Sequence, residues 1–446
     1  MILRRVTKLL PSVAISVLFF FCARDTFAQA VLFQDVRVFD GLNVLPSTSV
    51  LVEGERITKI GHGITPPPGA EIIDGTGKTL LPGLIDAHAH VFGVALEDAI
   101  EAGVTTVLDM FTDPNMAAAV RKQQEDGKML DRADLYSAGI LVTAPGGHGT
   151  EYGFPIPTLS DPDSAQSFVD ARLTEGSDYI KIVYDNGHIW GLNLPTLNKA
   201  ELKAVIDAAH KRDRLAVIHI GSLEEARDAI EAGADGLMHA PADIAGDAAF
   251  AKFVREHHAF VCPTLSVILS ATGGSNASMI SDTNISAYAS PFAIKNFQRS
   301  FPTHPGETAN FAAAQATTKA LQLAHVPILA GTDAPNPGTA FGVGLHRELE
   351  LLVGAGLTPP HALAAATGNA ADAFHLHDRG HICAGCRADL LLVSGDPTTD
   401  IKATRNILAV WKRGHKLDRT AYLAKIAQEH ENTLKASAPA PTQPKE

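Results

Sequence analysis

The stretch Leu81-Pro-Gly-Leu-Ile-Asp-Ala-His-Ala-His90 decides how this chain is read. A short apolar run ends there in two histidines placed two residues apart, His88 and His90. In an extended strand, side chains at i and i+2 point to the same face. The two imidazoles therefore leave one strand end together, where they can grip a single metal ion. Taken alone, a His-x-His pair is equally the mark of two polar residues in a loop, so the rest of the chain has to decide. Four further apolar runs carry reactive groups. Asp178-Tyr-Ile-Lys-Ile-Val-Tyr184 has Lys181 at its centre, Leu215-Ala-Val-Ile-His219 and Gly236-Leu-Met-His239 end in histidine, and Pro327-Ile-Leu-Ala-Gly-Thr-Asp333 ends in aspartate. Singly, a strand-end histidine is a surface or satisfied core residue, and an aspartate after Gly-Thr is a helix cap or turn former. The joint pattern is not accounted for that way.

Outward from these runs, the middle of the chain alternates strands and helices. Strands are expected at 84–88, 103–109, 134–141, 179–184, 215–219, 236–239, 259–265 and 327–332. Helices with apolar residues at three- and four-residue spacing are expected at 96–102, 114–125, 163–175, 199–211, 223–232, 245–257 and 309–324. Such an alternation predicts an α/β fold, a parallel (β/α)8 TIM barrel over 82–375, whose chemistry lies at the carboxyl ends of its strands. An open doubly wound sheet is the alternative, but it does not focus residues from strands one, four, five, six and eight on one point. The chain ends are written differently. Short strands and turns fill 31–81, with a hairpin signal at Glu53-Gly-Glu55, and the same style returns at 376–420. The two ends are expected to pair into one small β domain of sandwich type. The Ala-, Pro- and Lys-rich tail, 435–446, reads as disordered. The stretch 270–310 reads as a long cover over the site, whose aromatic residues either select substrate or pack the loop down.

Composition limits the function. The formal net charge of −12, with no long basic cluster, points away from nucleic acid and toward a small-molecule substrate. Arg4, Arg5 and Lys8, an apolar run from Val13 to Cys22, and Ala28-Gln-Ala30 form a secretory signal pattern over 1–30. A periplasmic or secreted protein is expected, free of the membrane once the signal is removed, with self-association into a homo-oligomer left open. Cys383 and Cys386 are spaced for a local disulfide or stand as two free thiols, and Cys262 sits in a strand-like run as a buried small residue.

The residues now in view resemble the amidohydrolase superfamily over nearly the whole chain after residue 30. Leu81 to His90 resembles its opening motif, and Gly380-His-Ile-Cys-Ala-Gly-Cys-Arg-Ala-Asp-Leu390 with Gly395-Asp-Pro397 resembles its closing segment. The set His88, His90, Lys181, His219, His239, Asp333 is similar to the binuclear branch. Tyr179-Ile-Lys-Ile182 and Gly146-Gly-His-Gly149 look most like the imidazolonepropionase-related members, which include prolidase-like dipeptidases and ochratoxin-type amidases. The resemblance implies two divalent metal ions, zinc by default. His88, His90 and Asp333 would hold one, His219 and His239 the other, and a carbamylated Lys181 would bridge them. Asp333 would be the catalytic general base for a metal-bridged hydroxide. His148, in its glycine-rich loop, and Tyr184 are the substrate-binding candidates. Two positions depart from relatives: no glutamate follows His219 as in mononuclear deaminases, and Gly221 stands where prolidase-like members often carry an aromatic residue. The expected function is an exported metal-dependent hydrolase of an amide bond in a small peptide or N-acyl amino acid. Alternatives are a lactone, cyclic amide or phosphoester hydrolase, or a non-catalytic metal or ligand carrier.

Overall fold

The computed structural model describes residues 30–437. The signal segment expected over 1–30 lies outside the described residues but for its last position, and so do residues 438–446 of the tail; residues 435–437 complete a helix, Thr420–Ser437.

The chain begins with five strands: β1 (Val31–Phe39), β2 (Val44–Glu53), β3 (Arg56–Gly61), β4 (Glu71–Asp74) and β5 (Lys78–Pro82). β1, β2 and β3 form an antiparallel meander, and Gly54, at φ +60°, supplies the left-handed residue that the β2–β3 hairpin needs. β4 and β5 lie parallel to successive halves of β1. Seven strands follow in the middle of the chain: β6 (Leu84–Ala89), β7 (Val104–Asp109), β8 (Asp134–Ser137), β9 (Ile180–Val183), β10 (Ala216–His219), β11 (Gly236–Leu237) and β12 (Phe260–Val261). β13 (Leu390–Ser394), β14 (Ile407–Lys412) and β15 (His415–Lys416) then return to the first group. β13 pairs antiparallel with β5, placing Leu391 opposite Leu81, so both chain ends join one eight-stranded sheet.

That sheet corrects the sandwich expectation, because the pairing is continuous rather than split between two stacked sheets. Register breaks in β1, between Phe33 and Val36 and again before Val38, allow it to bend. It curls until Arg56 of β3 bridges Arg387 just ahead of β13. The curl brings Phe33 of β1 edge-on to Trp411 of β14, ring centroids 4.9 Å apart, around a core that includes Val36, Val50, Ile57, Leu80 and Leu390.

The middle of the chain is α/β, built on two parallel sheets, β6-β7-β8 and β12-β11-β10-β9. Single parallel bridges join their margins: Val142 with Ile182, Val261 with Ile328, and Ala89 with Ala334. The eighth expected strand, 327–332, forms no regular ladder. Its backbone turns at its end, where the amides of Thr332 and Asp333 both donate to the His88 carbonyl and Asp333 takes φ +55°. An unbroken ring of eight regular strands is therefore not what the pairing gives. Helices cover these sheets, and their caps set the strand–helix turns. Asn198 and Ser222 each form a reciprocal capping box, with Glu201 and Glu225, at the starts of helices Lys199–His210 and Leu223–Glu231.

The 270–310 stretch is folded. It contains helices Thr283–Ser286 and Pro291–Phe297, and Tyr288 and Phe297 pack against Val343 and Tyr422. Phe292 faces solvent, and Phe301 reaches the cleft described below. Cys383 and Cys386 are joined as a disulfide and Cys262 is buried and free. Among the described residues, no helix is long and apolar enough to cross a membrane.

Candidate metal centre and its cleft

Five of the reactive side chains sit in or just beyond strands, and the sixth, Asp333, immediately precedes Ala334, which bridges the late segment to β6. His88 lies near the end of β6 and His90 just after it, Lys181 lies in β9, His219 ends β10, and His239 follows β11. Asp333 is drawn toward His88 through the shared carbonyl contact and the Ala89–Ala334 bridge. All six line one cleft. Asp333 Oδ1 is 2.9 Å from His90 Nε2 and 3.4 Å from His88 Nε2. His219 Nδ1 is 2.8 Å from His239 Nε2. The His88 and His239 rings are 4.9 Å apart between centroids. Ligand atoms of His88, His239 and Asp333 lie within 4.8 Å of one another.

The electrostatics follow from burial. Loss of water pushes His88 and His239 well below the ordinary histidine range and His219 down to about 4, so all three rings are neutral and keep a lone pair. The same desolvation lowers Lys181 to about 7, so a large share of its amine is unprotonated near neutrality. Lys181 Nζ and His88 Nδ1 are buried without a hydrogen-bond partner. An unsatisfied buried amine and a ring nitrogen beside three neutral imidazoles and a carboxylate form a donor set for a cation. The outer nitrogens of two rings are already engaged. His219 Nε2 faces Asp185 Oδ2 at 3.2 Å, and His239 Nδ1 is 2.6 Å from the Thr264 hydroxyl, which itself donates to the Pro263 carbonyl.

Two carboxylates brace the strand ends. Asp86, inside the opening motif, accepts from the Thr332 amide at 3.0 Å and the Thr332 hydroxyl at 2.7 Å, tying β6 to the segment that bears Asp333. Asp109 accepts from the Val91 amide and the Ser137 hydroxyl, beside His90. Burial raises Asp86 to about 7 and Asp109 to about 6.

Of the substrate-binding candidates, one faces the cleft and one does not. His148 lines the cleft with its ring 4.9 Å from that of His219, and its Nδ1 is 2.6 Å from Glu151 Oε1. Burial disfavours its charge, but the hydrogen bond and charge of Glu151 outweigh that and raise its pKa. Tyr184 is a correction. Its hydroxyl lies 3.1 Å from Asp228 on helix Leu223–Glu231, away from the cleft. Strand parity explains this: Lys181 and Val183 face inward, so the next residue faces out. The same parity brings Asp185 into the cleft, a residue that reading the strand ends alone overlooked.

The cleft encloses about 1180 Å³ of space, open solvent at its mouth included. Above the polar floor its walls are apolar, with Trp190, Leu192, Leu194, Val267, Ile268 and Phe301.

The pattern of the amidohydrolase family matches residues 79–417. The imidazolonepropionase of Cereibacter sphaeroides (strain KD131 / KCTC 12085) is 27% identical over 378 residues, 79% of this chain and 90% of that protein. A solved Xaa-Pro dipeptidase with methionine bound in its active site superposes with a TM-score of 0.70 at 24% identity, covering 87% of this chain and 100% of its own. Ochratoxinase of A. niger gives a TM-score of 0.67 at 19% identity over 87% of this chain and 95% of its own. At these identities the two solved structures speak for the fold.

Proposed function

The chain belongs to the amidohydrolase family, and from that premise we propose that it is an imidazolonepropionase-related, metal-dependent hydrolase of an amide bond in a small organic substrate. The two parallel sheets and the three bridges between their margins are read as one (β/α)8 barrel, with the cleft at its carboxyl-end face. The observation that carries the proposal is the convergence of four histidines, a desolvated lysine and an aspartate on one cleft floor.

The donor set fits two divalent cations, zinc being the default and manganese, cobalt or nickel fitting a mixed nitrogen–oxygen site. His88, His90 and Asp333 would hold one, and His219 and His239 the other. When bound, such a pair supplies Lewis acidity to a carbonyl and makes water acidic near neutral pH. The chain's own residues do the rest. The neutral amine of Lys181 is available to add carbon dioxide: a nitrogen–carbon bond forms, one carbon–oxygen π pair moves onto oxygen, a proton leaves to water, and the carbamate would offer cations one negative charge shared over two oxygens. Asp333 accepts the proton of the attacking water and returns it to the leaving nitrogen as the carbon–nitrogen bond breaks. His148, held by Glu151, donates to a substrate oxygen. The small peptide and N-acyl amino acid classes expected from the sequence enter here as classes with an amide to cleave, as do the peptide- and amide-acting relatives named above.

Residues 1–30 are proposed as a cleaved secretory signal, delivering the protein to the periplasm or exterior. The Cys383–Cys386 disulfide supports an oxidising destination.

Lys181→Ala and Asp333→Asn test the assignment. Both are expected to abolish turnover on a panel of amides while the far-ultraviolet circular dichroism stays that of the parent. The parent should carry two metal ions per chain by elemental analysis. Full activity of either variant in metal-replete buffer refutes the roles given.

A further inference from the structure

The cleft also says what kind of amide it takes, an argument that rests on the hydrolase reading above. Dipeptides and N-acyl amino acids carry a carboxylate close to the bond to be cut. A site that encloses such a charge has to meet it, because an unpaired charge moved out of water is strongly disfavoured. Among the described residues, no arginine lines this cleft, and its only lysine is Lys181, buried at the floor among the metal-binding candidates. His148 is already joined at 2.6 Å to Glu151, a partner that occupies its Nδ1 and offsets any charge it carries. His304 stands at the exposed rim, next to Glu307. Outside the set of cation-holding candidates, the other acidic groups that face the space are Asp185 and Glu307. The remaining walls are the apolar side chains from Trp190 to Phe301 named above, enough for a group far larger than a single amino-acid side chain.

We propose that the substrate is an uncharged amide bearing a bulky apolar group, aryl or long acyl, rather than a dipeptide or a free N-acyl amino acid. The apolar group lies against Trp190, Leu192, Leu194 and Phe301, and the amide reaches the floor.

The test compares octananilide with 4-octanamidobenzoate on the metal-loaded protein. The two share the scissile bond and differ by one carboxylate. Release of the aromatic amine gives kcat/KM, and quenching of tryptophan fluorescence gives binding independently of turnover. Trp190 is the reporter, because Trp411, the second of the two tryptophans, is buried against Phe33 in the curled sheet. The neutral anilide is expected to be preferred roughly ten- to a hundredfold in both readouts, the range for leaving one charged group unpaired. Leu192→Arg places a cation at the half-open rim and should narrow that ratio by about fivefold or more. Equal or better use of the carboxylate, or an unchanged ratio in Leu192→Arg, overturns the proposal. Failure to cleave either amide sinks the hydrolase reading instead, and the binding comparison still judges the cleft.

Discussion

At the scale of single residues, the site depends on which nitrogen of each imidazole is free. Thr264 gives its own proton to the Pro263 carbonyl, so its oxygen accepts from His239 Nδ1–H and leaves His239 Nε2 as the lone-pair nitrogen. Asp185 does the same for His219, accepting from Nε2–H and turning Nδ1 inward, 2.8 Å from His239 Nε2. Two lone pairs held that close point at one shared partner, and an outer carboxylate both fixes the tautomer and raises ligand basicity. Asp185→Ala should therefore weaken metal binding about 10- to 100-fold in a chelator competition, the usual cost of losing such a partner. Binding within a factor of two of the parent would show that Asp185 does not orient His219. The six floor residues were legible because each lies within, closes or follows an apolar run, a pattern that needs no structure. Asp185 went unseen and Tyr184 misplaced for one reason: parity along β9 decides which of two neighbours faces in. Asp86 escaped notice because its role is to hold Thr332, which is far away in sequence.

At the scale of elements, periodicity found seven helices close to their observed limits, such as Pro114–Glu125 and Lys199–His210. It did not find the later helix Val343–Gly354. The reason is physical: His346 and Glu348 lie on the buried face of that helix and interrupt its apolar stripe. Glu348 accepts from the amides of Leu265 and Ser266. His346 donates from Nε2 to the Ala102 carbonyl, and its Nδ1 lies 3.0 Å from the Thr404 hydroxyl, fastening the helix to two neighbours. Burial, then the charge of Arg405, lowers its pKa from 6.5 to about 4. The unfolded chain thus takes up the proton first as pH falls. The contribution of His346 is fully present above about 6.5 and is lost progressively as pH drops toward about 4. Melting of the metal-free protein should fall through that window, and His346→Gln should flatten the fall relative to the parent. Parallel pH profiles for the two proteins would remove His346 from the account.

At the scale of the whole molecule, the question is how the curled sheet of the chain ends is fastened to the middle. The pairing of the ends was readable from the repeated strand-and-turn style. The fastening was not, because it joins charges from distant parts of the sequence. Asp134, which opens β8, accepts from Arg379 at 2.7 Å, Arg387 at 2.6 Å and Lys412 at 2.8 Å, all within the buried interior. Arg387 also pairs with Asp389, just before β13, and Lys412, in β14, donates to the Thr105 carbonyl of β7. The closing segment Gly380 to Leu390 therefore contributes structure through its charges, set between the two sheet systems. The three cations hold Asp134 well below the usual carboxylate range, whereas burial lowers Lys412 to about 8 despite two acidic neighbours. Such a cluster adds little over a well-packed apolar one, but it is unforgiving of losing a member, because the charges left behind have no water to turn to. Asp134→Asn keeps the shape and removes the one anion shared by all three cations. It should lower the unfolding free energy by about 3–5 kcal/mol, read as a shift of the urea midpoint at unchanged slope. Asp134 sits at the opposite end of β8 from the cleft side, so metal stoichiometry of the folded variant should stay at the parent value. A shift smaller than about 1 kcal/mol, within the reach of an ordinary surface pair, would mean that apolar contacts alone hold the two sheet systems together.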